Sequence, residues 1–136
     1  MTVVASFEVP MRVINCTNAR EHHFAASRRV KRTRQEFVTF ARMREHLPFV
    51  KFYAPKPPRT YAVARWEPAY ALPLVVTMTR CAPRRFDDDG AVAAMKPIRD
   101  QLAELLGIND NDSRVTWVVK QETRRVHAVV VCLEAP

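Results

Sequence analysis

Residues 72–121 run LPLVVTMTRCA (72–82), PRRFDDDG (83–90), AVAAMKPIRDQLAELLG (91–107), INDNDS (108–113) and RVTWVVKQ (114–121). The first block is apolar and β-branched and reads as a strand. In the third, Val92, Met95, Ile98, Leu102 and Leu105 recur at helical spacing and Gly107 supplies a stop, which predicts a helix over 91–106. The last block returns to β-branched residues. Strand, acidic loop, helix and strand in this order place the chain in the α+β class, with a mixed β-sheet.

The flanks extend the pattern. TVVASFEV (2–9) predicts a first strand, and the polar stretch NCTNAREHHF (15–24) a loop. From Ser27 to Leu47 there is no Gly or Pro, and Val30, Phe37, Phe40, Ala41 and Leu47 recur near helical spacing. This predicts a second main helix with Ser27 as its cap. Four prolines in PFVKFYAPKPP (48–58) mark a stiff loop, followed by a strand at TYAVARW (60–66). RRVHAVVVCLE (124–134) reads as a final strand, forming a hairpin with the one before it. At 136 residues the chain is expected to form a single domain, 1–136.

Charge is unevenly placed. Residues 1–86 hold 16 Lys/Arg against 5 Glu, whereas residues 87–136 hold 6 against 9 Asp/Glu, within a formal net charge of +8. All six aspartates lie between Asp87 and Asp112. Adjacent carboxylates repel, so Asp87, Asp88 and Asp89 need a solvated surface, a facing arginine or a metal ion. If the cluster ends a strand, Asp87 and Asp89 point the same way and can converge on one ion, and Asp89 is placed to cap the following helix. Lys96 lies seven residues from Asp89, within about 20° of the same helical face. Asp100, four residues further, is spaced to pair with Lys96.

The basic residues have their own pattern. Arg28, Arg29, Lys31, Arg32 and Arg34 crowd the first turns of the predicted first helix, where positive charge opposes the macrodipole. A phosphate partner accounts for them better than helix stability does, although a solubilising face has the same composition. Arg84 and Arg85 stand directly before the acidic cluster.

RRFDDDGAVAAMKPIRDQLAELLGINDNDSRV (84–115) resembles the RusA-like Holliday junction resolvases, often phage- or prophage-encoded. Their pattern is a basic stretch, D-x-D-N, a helix carrying Lys and Asp, then a Gly and an acidic turn entering a strand. The resemblance covers about 30 residues as an ordered series of features, and the rest of the chain matches in order of elements. By it, Asp87 and Asp89 match the D-x-D pair, Asp112 the third carboxylate, Lys96 the helix lysine and Asp100 the helix aspartate. It implies a dimeric RusA-like endonuclease domain that resolves four-way junctions and related branched DNA by Mg²⁺-dependent phosphodiester hydrolysis, with Mn²⁺ able to substitute. Asp87, Asp89 and Asp112 would hold the metal, and Lys96 the scissile phosphate. Arg84 and Arg85 would place the DNA backbone, and the basic helix its flanking arms. Gly90 stands where the family has Asn, and Pro97 lies inside the helix. Two other readings fit the residues: a non-catalytic DNA-binding relative, or an interaction protein whose acidic turn is solvated.

Other classes are disfavoured. No GxxxxGK[ST], GxGxxG or GxSxG occurs, and two glycines leave little scope for a glycine-lined phosphate loop, so no organic cofactor is expected. Glu21-His22-His23 lacks a third zinc ligand at sensible spacing, and His46 and His127 are isolated. Cys16, Cys81 and Cys132 are odd in number without a CxxC, which suits a reducing cytoplasm. No apolar run is long enough to span a bilayer.

Overall fold

A computed structural model describes residues 1–14, 23–42 and 70–136. Among them are strands β1 (Thr2–Val9), β2 (Leu74–Ala82), β3 (Val115–Thr123) and β4 (Ala128–Ala135), and helices α1 (His23–Arg42) and α2 (Asp88–Leu106). The strands form one mixed sheet in the order β1-β4-β2-β3, with β2 and β3 parallel and the other pairs antiparallel. The α+β class and mixed sheet read from the sequence are therefore the observed ones. The expected loop at 48–58 and strand at 60–66 lie outside the described residues.

Side-chain alternation assigns one face of the sheet to the core. Leu74, Val76 and Met78 of β2 share that face with Ala5, Phe7 and Val9, and with Val129, Val131 and Leu133. Met95, Ile98 and Leu102 of α2 and Phe37 and Ala41 of α1 cover it, each completely buried. The rings of Phe7 and Phe37 lie 6.2 Å apart. Burying a large apolar side chain stabilises by about 1.5–3 kcal/mol, so these residues hold both helices on one side of the sheet.

Two boundaries differ from expectation. α1 starts at His23, so Ser27 is not its cap but an exposed residue inside the helix. α2 starts three residues early, at Asp88, with Asp87 rather than Asp89 at the N-cap position. At its other end the helix stops as predicted. Gly107 takes the left-handed conformation (φ 67°), its N–H donating to Glu104 while Ile108 N–H donates to Ala103. That is a Schellman turn, sealed by the buried pair Ala103 and Ile108.

The expected terminal hairpin is not formed. β3 and β4 are not neighbours, because β4 inserts between β1 and β2. The turn after β3 crosses the end of β2, where Arg124 N–H donates to the carbonyl of Ala82 at 3.0 Å. The physical reason is tertiary: β3 returns through the α2 crossover to pair in parallel with one edge of β2, and β4 takes the other edge of β2 and is itself flanked by β1. On the far face, Arg124 bridges Glu8 of β1 (2.6 Å) and Glu122 of β3 (3.1 Å), spanning the two inner strands beside Cys81 and Ala128.

Candidate metal and nucleic-acid site

The alternation of β2 runs past Met78 to Arg80, which faces the core and is only 4% exposed. Gln121 is its register partner on β3. The guanidinium lies 3.3 Å from the centroid of the Phe86 ring and donates from Nη1 to the carbonyl of Arg84 (2.9 Å) and to Gln121 Oε1 (3.2 Å). The Gln121 amide also receives the Phe86 N–H (2.8 Å) and donates to the Phe86 carbonyl (2.9 Å). Burial and the nearby Arg12 charge lower the Arg80 pKa from the usual arginine value. The loop 84–86 is thus fastened to the ends of β2 and β3. Neither Arg80 nor Gln121 was found from sequence; the available signal was a charged residue continuing the Leu74–Val76–Met78 alternation.

The loop delivers the acidic cluster. Asp87 is extended (φ −64°, ψ 159°) and its carboxylate makes no capping hydrogen bond, while its carbonyl accepts the Ala91 N–H at 2.9 Å. β2 ends at Ala82 and Asp88 and Asp89 occupy the first turn of α2, so the cluster does not end a strand and the alternation expected to aim Asp87 and Asp89 at one ion is absent. All three are exposed, and none forms an ion pair or side-chain hydrogen bond among the described residues. Carboxylates beside a helix N-terminus gain about 0.3–1 kcal/mol each from the macrodipole, which offsets part of their mutual repulsion. Beside the cluster is a cavity of about 340 Å³, lined by Arg85, Asp88, Lys120 and Gln121 among others. Gly90, the third helical residue, is buried.

Asp112 is not brought to this end. β2 and β3 are parallel, starting together at Leu74 and Val115, so Asp112 precedes the start of β3 while Asp87 follows the end of β2. Eight strand steps separate those ends by about 26 Å. The 19-residue α2 spans about 28 Å between them. Asp112 is instead gripped by Arg114, which donates its backbone N–H (2.9 Å) and Nε (3.0 Å) to Oδ1 and Nη2 (2.8 Å) to Oδ2. These hydrogen bonds hold its pKa down to about 2. Among the described residues no group of three or more His, Cys, Asp or Glu side chains is arranged to hold a metal ion. The three-carboxylate set does not assemble within one chain. Asp87 and Asp89 fit a hard cation such as Mg²⁺ by donor type and by having no competing partner among the described residues, whereas Asp112 is committed to Arg114.

Lys96 pairs with Asp100 at 3.1 Å, as its spacing predicted, and is 69% exposed. It sits two helical turns beyond Asp89, about 10 Å along the axis. Both residues border a groove of about 360 Å³ between the helices, walled by Val30, Ala94 and Pro97, with Arg29 at its rim.

The basic helix divides by helical phase. Arg28, Lys31 and Arg32 are exposed, make no ion pair among the described residues, and lie opposite Phe37 around the helix. Arg29 is half-buried. Arg34, expected with the DNA-contacting set, turns to α2, where Nη2 meets Glu104 at 3.0 Å and Nε donates to Gln101 at 3.2 Å. Arg84 and Arg85 are exposed beside the acidic cluster. Glu21, His22 and His46 lie outside the described residues. His127 is half-buried and its Nδ1 has no hydrogen-bond partner among the described residues.

No family profile, curated protein or solved structure matches the chain in comparisons with known proteins. No described helix is long and apolar enough to cross a membrane.

Proposed function

We propose that the protein is a Mg²⁺-dependent endonuclease of the RusA-like kind acting on branched DNA. The observation that carries this reading is the set Asp87, Asp88 and Asp89: three contiguous, exposed carboxylates without a basic partner among the described residues, at the C-terminal ends of parallel strands. Crevices at that end of a parallel pair are the usual ligand sites of such units. Asp87 and Asp89 would hold the metal. When bound, a divalent cation supplies Lewis acidity toward a phosphodiester and eases deprotonation of water. Arg85 and Lys120, at the adjoining cavity, and Arg84 then hold phosphate oxygens, while Arg28, Lys31 and Arg32 attract the backbone of a DNA arm. Resolving a four-way junction takes two symmetric cuts, for which a two-fold dimer is the natural assembly.

The test is a synthetic four-way junction incubated with and without Mg²⁺. Cleavage should require the metal and disappear in Asp89→Asn, with binding retained; metal-independent cleavage, or an active Asp89→Asn protein, refutes it.

A second reading, DNA binding without cleavage, is favoured by Asp112, whose carboxylate is committed to Arg114 far from Asp87. Salt-sensitive junction binding with no cleavage in Mg²⁺ or Mn²⁺ would select it.

A further inference from the structure

We infer that Arg80 and Gln121 are positioning residues for the proposed metal site, acting on Asp87 and Asp89 through the loop they fasten. This rests on the Mg²⁺ reading above. A buried guanidinium costs stability unless it is well satisfied, and Arg80 is compensated here by an aromatic face, a backbone carbonyl and a side-chain amide. Among the described residues its Nε is buried without a hydrogen-bond partner, and no carboxylate pairs with it. Packing alone does not explain the arrangement. A Met or Leu there would continue the apolar face of Leu74, Val76 and Met78 without the desolvation penalty.

What the polar arrangement supplies is a fixed path for the chain. Gln121 pairs with both backbone groups of Phe86, the residue before Asp87, as a neighbouring strand would. Arg80 holds the carbonyl two residues earlier and stacks on Phe86 between them. Three hydrogen bonds and a ring contact thus converge on residues 84–86, and a fourth hydrogen bond ties Arg80 to Gln121. On the other side Asp87 is tied into α2 through the Ala91 N–H. The backbone of Asp87 is held from both directions, leaving its carboxylate and that of Asp89 as the movable parts. Groups that orient metal-ligating carboxylates typically change metal affinity by about 10–100-fold when removed.

The experiment measures Mn²⁺ affinity by electron paramagnetic resonance, thermal stability, and hydrogen exchange at the Phe86 amide. It compares wild type, Asp89→Asn, Gln121→Ala, Arg80→Met and a distant control, Ile108→Ala. Wild type should bind Mn²⁺ and Asp89→Asn should not. Gln121→Ala and Arg80→Met should each weaken binding about 10-fold or more. Phe86 should exchange faster in Gln121→Ala. Because Arg80→Met removes a buried charge, its Tm should be unchanged or higher while its affinity falls, a separation that a purely structural role would not give. Ile108→Ala should lower Tm and leave affinity alone. Wild-type affinity in both Gln121→Ala and Arg80→Met overturns the inference while leaving the metal reading standing. Absence of Mn²⁺ binding by wild type overturns the metal reading, and this inference with it, before any variant is compared.

Discussion

Replacing Arg28, Lys31 and Arg32 together with glutamine tests whether α1 meets DNA. On a helix, residues at i, i+3 and i+4 fall within about 100° of one another, and this trio is centred opposite the buried Phe37. The triple variant should therefore fold normally, since these side chains are exposed. If each contacts one phosphate of duplex DNA, the slope of log affinity against log salt should shrink by about 2.7, at roughly 0.9 per contact. Between about 50 and 200 mM salt that slope difference amounts to an approximately 40-fold smaller loss of affinity than wild type suffers. Fluorescence anisotropy on a labelled four-way junction, repeated at four or five salt concentrations, reads it directly. Arg34→Ala is the internal control. Its guanidinium is committed to Glu104 and Gln101, so it should lower Tm slightly, a half-exposed pair being worth about 0–1 kcal/mol, and leave the slope alone. An unchanged slope in the triple variant, or a reduced slope in Arg34→Ala, would refute the phase argument.

Asp112→Asn should flatten the acid limb of stability. The Asp112 pKa is lowered from 3.8 to about 2, so its contribution is fully present above about pH 4 and is lost as pH falls toward 2; pH-dependent thermal melts check this. Gly107→Ala should lower stability by about 1–2 kcal/mol, measured by urea unfolding, because the Schellman turn needs a left-handed residue. Gly90→Asn, which would restore the amide of the family pattern, should instead destabilise by roughly 1–3 kcal/mol, since Gly90 is buried in the first turn of α2; a more stable, cleaving variant would contradict this.

The elements were legible where one local signal decided them. The apolar spacing of α2 and its glycine stop needed no tertiary information. Its start did not have that clarity, because Asp87, Asp88 and Asp89 are equally good caps by residue type and the loop held by Gln121 selects among them. The hairpin expectation failed for a different reason. A short polar turn between two strands usually joins neighbours, and what overrides it here is tertiary pairing, with β3 on one edge of β2 through the α2 crossover and β4 on the other. Arg34 is close in sequence to the other basic residues, yet its angular position only about 60° from Phe37 puts it at the edge facing α2.

The site was half legible, and the missing half follows from topology. A parallel strand–helix–strand unit carries its loop after the first strand and its loop before the second to opposite ends, so no spacing in the sequence brings Asp112 beside Asp87. The aspartates are then sorted by their neighbours. Asp100 has Lys96 one turn before it, and Asp112 has Arg114 two residues after it. Asp87, Asp88 and Asp89 follow Arg84 and Arg85 just as closely but form no ion pair with them. The macrodipole term, about 0.3–1 kcal/mol for each carboxylate and confined to the first turn, is a modest compensation for three adjacent negative charges. A cation held by Asp87 and Asp89 would relieve that repulsion directly. The charge imbalance, more than the motif, is why the Mn²⁺ measurement on wild type comes first.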